Sequence, residues 1–498
     1  MTDETFDVVI VGGGGAGLAS AVEATSCGAE VVVLEKAPQL RGTTGIAVGS
    51  ITASCTRMQR RAGIADSPAE HLEDYLRMSG QLASRDDPEL AALFTQHVGE
   101  TVDWLQRLGI EFFGPFQEPP HRKPRMHNAL PSAGSYIFHL SRRARANGAE
   151  IRLAMPARQL LMRGTRVVGV TASGPDGSDR HFYARRGVVL AGGDFANSVE
   201  FRTEFFGARA ANYPAVNPFA TGDCQRMARD IGGVICNGDL FEPQLRFVAP
   251  PGQGTLAKIP PYRALTRPMR WALAYLPGWM IRPFALSFVT TYLAPDRRLF
   301  ESGALLVDRR GKQVMIAGGQ PNATQDGESE FFVVFDAALA RKFSAYPYYI
   351  ATAPNVAFAY VGDFRRNRRD IFFMAPDLDT LAAKLGMPAT ALRRTVVDHN
   401  ESIVARSSVG SSRVLSEAPF TALGPIKAYI LTTHGGLRVS TNLEVLDREG
   451  RPLPGLFAAG AAGRGRLLLP GHGHNLGWAF TSGRIAGRNA ARMEPITT

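Results

Sequence analysis

The feature that most constrains this chain is a glycine-rich turn between an apolar strand and a helix close to its N-terminus. The apolar run FDVVIV (6–11) stops at GGGGAG (12–17), after which LASAVEATSCG (18–28) continues with helical spacing. A second apolar run, AEVVVL (29–34), leads to Glu35, which lies 18 residues beyond Gly17. A G-x-G-x-x-G motif between a strand and a helix, with an acid at this distance, predicts a βαβ unit that binds a dinucleotide.

The small residues of this turn have separate physical roles. Gly12 permits the tight turn, Gly14 lets backbone N–H groups approach a pyrophosphate, and Gly17 lets the helix pack closely on the sheet. The helix N-terminus favours the phosphates, and Glu35 is expected to accept hydrogen bonds from the adenosine ribose. From this segment we predict cofactor contacts at Gly12, Gly14, Gly15, Ala16, Gly17, Glu35 and Lys36.

Length and composition exclude several classes of protein. A chain of 498 residues is too long for one ordinary core, so we expect two lobes, and 45% hydrophobic with 20% charged residues excludes a disordered or fibrous chain. The four cysteines lack metal-like spacing and are too few for a disulfide scaffold, so no metal site is predicted. This cysteine usage, and an acidic N-terminus without a secretory signal, predict a cytoplasmic protein.

Several further segments carry a resemblance to a known family. They include KAPQLRGTTGIAVGSI directly after Glu35, MPARQLL, GVVLAGGDFANS, NPFATGDCQRMARDIGG, GRPLPGLFAAGAAGRG and GHGHNLGWAFTSGRIAGRNAA. With them, the chain resembles the FAD-dependent oxidoreductase family of soluble fumarate reductases and 3-ketosteroid dehydrogenases. The resemblance implies FAD, bound non-covalently because the loop after Glu35 lacks the histidine of covalent-flavin members. It also implies FAD contacts at Gly42, Thr43, Thr44, Gly49, Ser50, Ala157, Ala191, Gly192, Gly193, Asp223, Gly460, Asn475 and Leu476.

The same resemblance implies the fold and its organisation. We expect an α/β protein with a Rossmann-like FAD-binding lobe of the glutathione-reductase type and an inserted α+β capping lobe that holds the substrate. Residues 1–240 and 415–498 are predicted to build the FAD lobe, and residues 241–414 to build the capping lobe, with a basic aromatic flap at 252–295. From the residue pattern we expect a helix from Asp87, a hairpin that turns at 308–311, and two helices separated by Gly386 and Pro388.

Family members act on a C–C bond beside a carbonyl: a hydride moves between carbon and flavin N5, and a proton moves at the neighbouring carbon. Positions that handle a dicarboxylate in fumarate reductases are occupied here by Thr432, Pro321 and Pro470, so fumarate reduction is disfavoured. The C-terminus aligns better with the ketosteroid dehydrogenase branch, which places Gly473 where a backbone N–H binds the ketone oxygen. Leu469 occupies the position of the tyrosine that polarises that ketone.

We therefore predict other groups for this task and for acid–base chemistry. His472 and His474 flank Gly473, and His434 lies in the strand expected to reach the flavin. Tyr292 and Tyr360 are candidate bases from the capping side, although an aromatic residue in a large lobe is more often core. Two arginines, Arg464 and Arg466, are candidates to bind a substrate carboxylate or to balance reduced flavin, with a solvated or FAD-directed role as the alternative.

The predicted function is that of a FAD-dependent oxidoreductase of the CH–CH group, acting on a hydrophobic, cyclic or steroid-like ketone with an external electron acceptor or donor. One alternative is an ene-reductase of an unsaturated carboxylic acid, with Arg464 or Arg466 as the clamp. The other is a flavin-carrying electron-transfer subunit at a membrane surface.

The distribution of charge adds a second prediction. Residues 246–298 hold eight basic side chains and one acid, which accounts for +7 of the net charge of +11. The uncharged runs in this stretch, such as the 11 residues 271–281, are too short to span a membrane, and no nucleic-acid-binding module is recognisable. The aromatics of this stretch either pack against the capping lobe or form a flap, through 252–298, on a partner or on the inner face of a membrane.

Overall fold

The protein is described by a computed structural model over residues 3–207, 213–248, 259–277, 280, 282, 286, 289–290, 294–314, 316–317, 320–321, 330–353, 357–405 and 413–496. The helices among these residues are α1 (Gly15–Ser26), α2 (Gly42–Ile46), α3 (Arg57–Arg61), α4 (Pro68–Ser79), α5 (Pro88–Arg107), α6 (Gly134–Ala146), α7 (Val199–Phe206), α8 (Asp223–Asp230), α9 (Arg263–Tyr275), α10 (Arg297–Glu301), α11 (Ala337–Lys342), α12 (Val361–Asn367), α13 (Leu378–Leu385), α14 (Ala389–Ala405) and α15 (His474–Arg492). A 3₁₀ turn, Gly80–Arg85, follows α4.

The strands are β1 (Asp3–Val11), β2 (Val31–Leu34), β3 (Ser50–Thr52), β4 (Glu111–Phe116), β5 (Met126–Leu130), β6 (Glu150–Arg152), β7 (Ala157–Arg163), β8 (Arg166–Ser173), β9 (Asp179–Leu190), β10 (Ile235–Cys236), β11 (Phe241–Phe247), β12 (Leu305–Asp308), β13 (Ile316–Ala317), β14 (Gln320–Pro321), β15 (Glu330–Phe335), β16 (Ala351–Ala353), β17 (Ala357–Ala359), β18 (Phe372–Ala375), β19 (Phe420–Thr433), β20 (Gly436–Leu437), β21 (Glu444–Leu446) and β22 (Pro452–Ala458).

A mostly parallel sheet forms the centre of the first lobe. Strands β6, β2, β1, β9 and β22 lie side by side in parallel, with β21 antiparallel at one edge and the β7–β8 hairpin attached to β9. The sequence explains the parallel core, because the apolar runs of β1 and β2 have no polar alternation and both faces are covered. This sheet with its βαβ unit confirms the predicted Rossmann-like α/β lobe.

Close contacts at glycines bind the two ends of the chain into this lobe. An added Cβ at Gly17 would overlap the carbonyl oxygen of Gly12, so only glycine lets α1 rise this close to the turn. Helix α15 also packs closely against α1, through small residues on both helices. The Ser20 hydroxyl donates to the Gly483 carbonyl at 2.9 Å, and an added Cβ at Gly487 would overlap the Ser20 backbone. The N- and C-terminal segments therefore share one core.

The second lobe is built on an antiparallel sheet. Its strand order is β11-β19-β15-β12, with β18 also paired to β19, and its hydrophobic core draws on residues between Ala196 and Ile430. We predicted the chain to return to the first lobe at residue 415. Strand β19 instead belongs to the second sheet, and the chain rejoins the first core at Leu437. The pairing partners of β19 lie far away in the chain, so its own residues do not indicate which sheet it joins.

The predicted local elements are confirmed where they are described. Helix α5 begins after Asp87, whose carboxylate accepts from the N–H groups of Glu89 and Leu90. The chain turns back at 308–311, and α13 and α14 are separated at Gly386, which has φ +67°.

Part of the basic aromatic flap lies outside the described residues, including Trp279, Phe284, Phe288 and Tyr292. Helix α9, the longest described part of the flap, contacts β4 and β5 of the first lobe. Farther along, Leu286 and Val289 are buried in the core of the second lobe, and Arg282 pairs with Asp363 of α12 at 2.6 Å. His139 meets the Pro261 carbonyl at 2.9 Å, and the rings of Phe138 and Tyr262 meet edge to face at 5.3 Å. Over the described residues, no helix has the length and apolar character to cross a membrane.

Candidate cofactor cradle and active site

The carboxyl ends of the parallel strands carry most of the predicted cofactor residues. Gly12 follows β1, Glu35 follows β2, Ala191 follows β9 and Gly460 lies two residues after β22. These strands are neighbours in the sheet, so their ends form one edge, which is where open α/β sheets bind ligands.

The glycine turn has an open side and a closed side. At Gly14 and Gly193 an added Cβ would meet no atom within 4 Å, whereas at Gly12 it would meet the Ala191 oxygen at 2.5 Å and at Gly192 the Cys224 sulfur at 2.6 Å. Gly14 is also the N-cap of α1 and has no side chain to cover the helix N-terminus. The backbone of Gly14, at this end of α1, therefore borders open space of the kind that suits a pyrophosphate.

Glu35 is held rigidly beside this space. Its carboxylate is buried and accepts from the Gly13 N–H at 2.6 Å and the Ala37 N–H at 2.8 Å. The next residue, Lys36, donates to Asp223 at 2.7 Å and to the Thr221 hydroxyl. Although burial opposes ionisation of Asp223, the hydrogen bond and charge of Lys36 lower its pKa. The two predicted cofactor contacts Lys36 and Asp223 are thus brought together, and they form an ion pair with each other.

The loop after Glu35 folds back onto the glycine turn. The Gly15 N–H donates to the Thr44 hydroxyl at 3.1 Å, and Asn217 donates to the Thr43 hydroxyl at 2.9 Å. Gly42 has φ +54°, and an added Cβ there would lie 3.1 Å from Gly14. Of the other predicted contacts, Ser50, Ala157 and Leu476 lie on β3, β7 and α15. Gly49 directly precedes β3 and Gly460 follows β22, and the Ser50 hydroxyl donates to Asn128 at 2.5 Å.

The segment before α15 is fixed against β3. Gly473, the N-cap of α15, has φ +81°, and an added Cβ would approach the Thr52 nitrogen to 2.5 Å. The Thr52 hydroxyl donates to the His472 carbonyl at 2.7 Å. These contacts place His472 and Gly473 beside the strand that begins with Ser50, at the N-terminal, partly positive end of α15.

His472 has the environment of a charged donor. Its side chain is 76% exposed, and its Nδ1 contacts the largely buried carboxylate of Glu118. The hydrogen bond with Glu118 raises the pKa of His472, while the charge of Arg246 acts in the opposite direction. Arg246 lies on β11, so a cation of the second lobe acts on a residue of the first. An imidazolium held at Nδ1 keeps Nε2–H available to a ligand.

His474 has the opposite environment, and its predicted role as a substrate contact is corrected. Its side chain is fully buried against Phe94, Tyr75 and His121, and its Nε2 lies 3.1 Å from Nε2 of His71. Burial, with the charge of His121, lowers the pKa of His474 to about 3. A neutral, enclosed imidazole of this kind supports the start of α15 and does not reach the open face.

Both arginines predicted as carboxylate clamps are occupied elsewhere. Arg464 is fully buried and donates to the carbonyls of Leu467 at 2.7 Å and Thr433 at 3.2 Å. Arg466 donates to the Ser84 carbonyl at 2.6 Å and the Arg85 carbonyl at 3.3 Å. Both therefore fasten loops of the first lobe, and the structure does not bring either to His472 as a clamp.

Arg464 also contacts the side chains of His434 and Asn475. It donates to Asn475 Oδ1 at 3.1 Å and approaches His434 Nδ1 at 3.2 Å. Burial and the Arg464 charge lower the pKa of His434 to about 3, so this side chain is neutral. Its role is therefore that of a neutral partner to Arg464.

The two predicted tyrosine bases are not assembled with these groups. Tyr292 lies outside the described residues. Tyr360 precedes α12 in the second lobe, where the Arg282 guanidinium stands 5.5 Å from its ring. Sequence reasoning missed Glu118, which lies in the loop between β4 and β5, and Arg246, which was counted only as part of the basic stretch. No local motif marks either residue, because each becomes relevant only through its neighbours in space.

Comparisons with known proteins identify the family and the fold of the chain. A family description for FAD-binding domains matches residues 7–254 and 273–467. A NADH:acrylate oxidoreductase of Vibrio harveyi is 24% identical over 565 residues, which covers 99% of this chain and 51% of that protein. The chain therefore spans about half the length of that relative.

Two solved structures share the fold. The open conformation of a flavocytochrome c3 fumarate reductase superposes with a TM-score of 0.72 at 24% identity, covering 98% of this chain and 78% of the other. The 3-ketosteroid-Δ4-(5α)-dehydrogenase from Rhodococcus jostii RHA1, in complex with 4-androstene-3,17-dione, superposes with a TM-score of 0.62 at 24% identity, covering 99% and 98%. At this identity the likeness shows the fold, and it confirms the predicted fold class.

Proposed function

The chain belongs to the FAD-binding-domain family of FAD-dependent oxidoreductases, and from this premise we propose that it introduces or reduces a C=C bond beside a carbonyl group. The proposed substrate is a hydrophobic, cyclic or steroid-like ketone. The observation that carries this proposal is the exposed His472, held by the Glu118 carboxylate beside the Gly473 N–H. The proposed partners are this small molecule, an external electron acceptor or donor, and a membrane surface reached through 252–298.

We propose that FAD is held non-covalently by the edge of the parallel sheet. The space at Gly14 would take the pyrophosphate at the N-terminus of α1, and Glu35 would take the adenosine ribose. Thr43 and Thr44, which already close over the glycine turn, would add hydroxyl groups. When bound, FAD supplies the acceptor or donor of the hydride at the carbon next to the one that exchanges a proton.

The residues around Gly473 would stabilise the substrate oxygen. Enolate character develops on that oxygen when a proton leaves or joins the carbon beside the carbonyl, so fixed donors lower the barrier. In the proposed site the Gly473 N–H is one donor and Nε2–H of His472 is the other, in place of the tyrosine position filled by Leu469. Glu118 keeps Nδ1 engaged, and this directs Nε2 outward. Two hydrogens and two electrons are exchanged in total, as one hydride and one proton.

Arg246 supports a second candidate function. Its charge acts on His472, and its pKa is lowered by burial, so a substrate carboxylate beside it would be favoured. An ene-reductase of an unsaturated carboxylic acid would use Arg246 as the clamp, in place of Arg464 or Arg466. Arg246 would then be the residue that determines whether the protein prefers acid or ketone substrates.

Anaerobic mixing with a panel of cyclic ketones, enones and unsaturated acids, followed by flavin absorbance, tests both candidates. We expect the ketone or enone arm to change the flavin spectrum, and His472→Ala to slow that change by about 10²–10³-fold, the usual effect of removing one oxyanion donor. His97→Ala serves as a matched histidine control on α5. A response to acids alone that Arg246→Gln abolishes would replace the ketone proposal with the acid proposal.

A further inference from the structure

Helix α9 is fastened to the first lobe by one carboxylate. The guanidinium nitrogens of Arg263, Arg267 and Arg270 lie 3.9, 3.5 and 3.2 Å from the Glu111 oxygens. Glu111 begins β4 and is buried, so its charge needs cationic partners. At 100° per residue the three arginines fall within a sector of about 60°, which explains how they reach one acid. The buried Thr266 lies beside this sector and marks the inner side of α9.

The opposite side of α9 presents large apolar side chains to solvent. Leu265 is 48% exposed, Trp271 58% and Tyr275 74%, and the Trp271 and Tyr275 ring centroids are 5.9 Å apart. Together with Pro268 these residues fall within a sector of about 120°, so they form one stripe along the helix. Tyr262, directly before α9, is exposed as well. An exposed stripe of this kind on a globular protein marks an interaction surface.

Charge indicates which partner the stripe fits. Three arginines face a single carboxylate, so the flank of the stripe keeps a net charge of about +2, and each guanidinium remains about half exposed. Tryptophan and tyrosine prefer the boundary between lipid headgroups and acyl chains, and arginine binds the phosphates above it. A helix with an aromatic stripe and basic flanks lies in the plane of a membrane surface.

We propose that α9 docks this protein on the surface of an anionic lipid membrane, with Trp271 and Tyr275 inserted at the headgroup level. The arginines that face Glu111 lie at the edge of the contact and meet lipid phosphates with their exposed sides. This docking rests on the membrane contact proposed above and assigns it to one helix, but it does not depend on which substrate the flavin site accepts.

The test is sedimentation with phosphatidylcholine vesicles that contain or lack phosphatidylserine. We expect the parent protein to bind the vesicles that contain phosphatidylserine and to detach as salt rises. The double variant Trp271→Ser, Tyr275→Ser should bind about a hundredfold more weakly, because each ring adds about tenfold when buried. The control Tyr346→Ser removes a tyrosine that is 71% exposed on the second lobe and should bind as the parent does. Flavin content should be unchanged in every variant.

Substitution of the arginines would be a poor test, since Arg263, Arg267 and Arg270 also hold α9 on Glu111. Two results would overturn the proposal: a parent protein that ignores anionic vesicles, or a double variant that binds them as well as the parent. Light scattering of the free protein provides a third check. If the parent protein is a dimer and the double variant is a monomer, the stripe binds a second copy of the chain instead of lipid.

Discussion

At the scale of single residues, two histidines close together in sequence have opposite environments. His472 and His474 are two positions apart, yet one is exposed on a carboxylate and the other is enclosed by aromatic rings. The start of α15 accounts for this difference, because His472 precedes the N-cap Gly473 and His474 is the first residue of the helix, on its buried side. Only His472 is therefore suited to exchange a hydrogen bond with a ligand at the open face.

The charge of His472 should depend on Glu118. The carboxylate raises the pKa of His472, so the imidazolium persists to higher pH and loses its Nε2 proton as pH rises through that pKa. In Glu118→Gln we expect the His472 pKa to fall, and the alkaline loss of flavin reduction by ketone to move to lower pH. NMR titration of the ring, assigned by comparison with His472→Ala, measures the pKa without turnover.

Glu23→Gln is a matched control for this pair, because Glu23 is a buried carboxylate of the same lobe that pairs with Arg484 and Arg488. It should leave the His472 titration where it is in the parent. An unchanged His472 pKa in Glu118→Gln would contradict the assigned role of the carboxylate.

Gly14 should be essential for FAD while tolerating a side chain in the fold. Its φ is −79° and an added Cβ meets no protein atom within 4 Å, so Gly14→Val fills only the space assigned to the pyrophosphate. We expect a folded, colourless protein by circular dichroism and absorbance. Gly362→Val, at a glycine of α12 with equally open space, should remain yellow. A yellow Gly14→Val protein would refute the placement of the phosphates.

At the scale of elements, glycine contacts decide which helices meet. The αα contact between α1 and α15 requires small residues on both sides, since the Gly483 and Gly487 positions lie against the α1 backbone. Helix α9 is a contrasting case, because its place depends on charge: one acid gathers three arginines from successive turns.

Replacing that acid should release α9 while the two cores stay folded. In Glu111→Gln the arginines lose their anionic partner, but their guanidinium groups stay about half exposed to water and the residue that replaces the buried carboxylate is neutral, so we expect little loss of global stability. We expect faster proteolysis within 263–275 and a melting temperature close to that of the parent. Glu301→Gln removes the surface pair with Arg297 and should leave the cleavage rate unchanged. Equal cleavage in both variants would show that α9 is held by its apolar contacts alone.

At the scale of the whole molecule, the candidate site joins three distant parts of the chain. Glu118 comes from the loop before β5, Arg246 from the second lobe, and His472 from the segment before α15. His472 contacts Glu118 and is influenced by the charge of Arg246 only because the chain leaves the first core, builds the antiparallel sheet and returns at Leu437.

By itself the sequence determined the parts whose chemistry is local. The glycine turn, the acid after β2 and the cap of α5 were readable because backbone conformation and short-range hydrogen bonds at these positions accept few residue types. The family resemblance added the cofactor and the two-lobe plan. The FAD contacts and the catalytic roles assigned from sequence are still predictions that the experiments above address.

The tertiary structure decided what depends on partners far away in the chain. From the sequence Arg464 was a candidate to bind a substrate carboxylate, but it is buried and donates to backbone carbonyls that only the fold brings close to it. His474 is likewise enclosed by side chains of α4 and α5. The sequence around Glu118 gives no signal of a functional role, which becomes visible only in the contact of its carboxylate with His472. Burial and distant charge set the state of each such side chain, and neither is encoded by nearest neighbours in sequence.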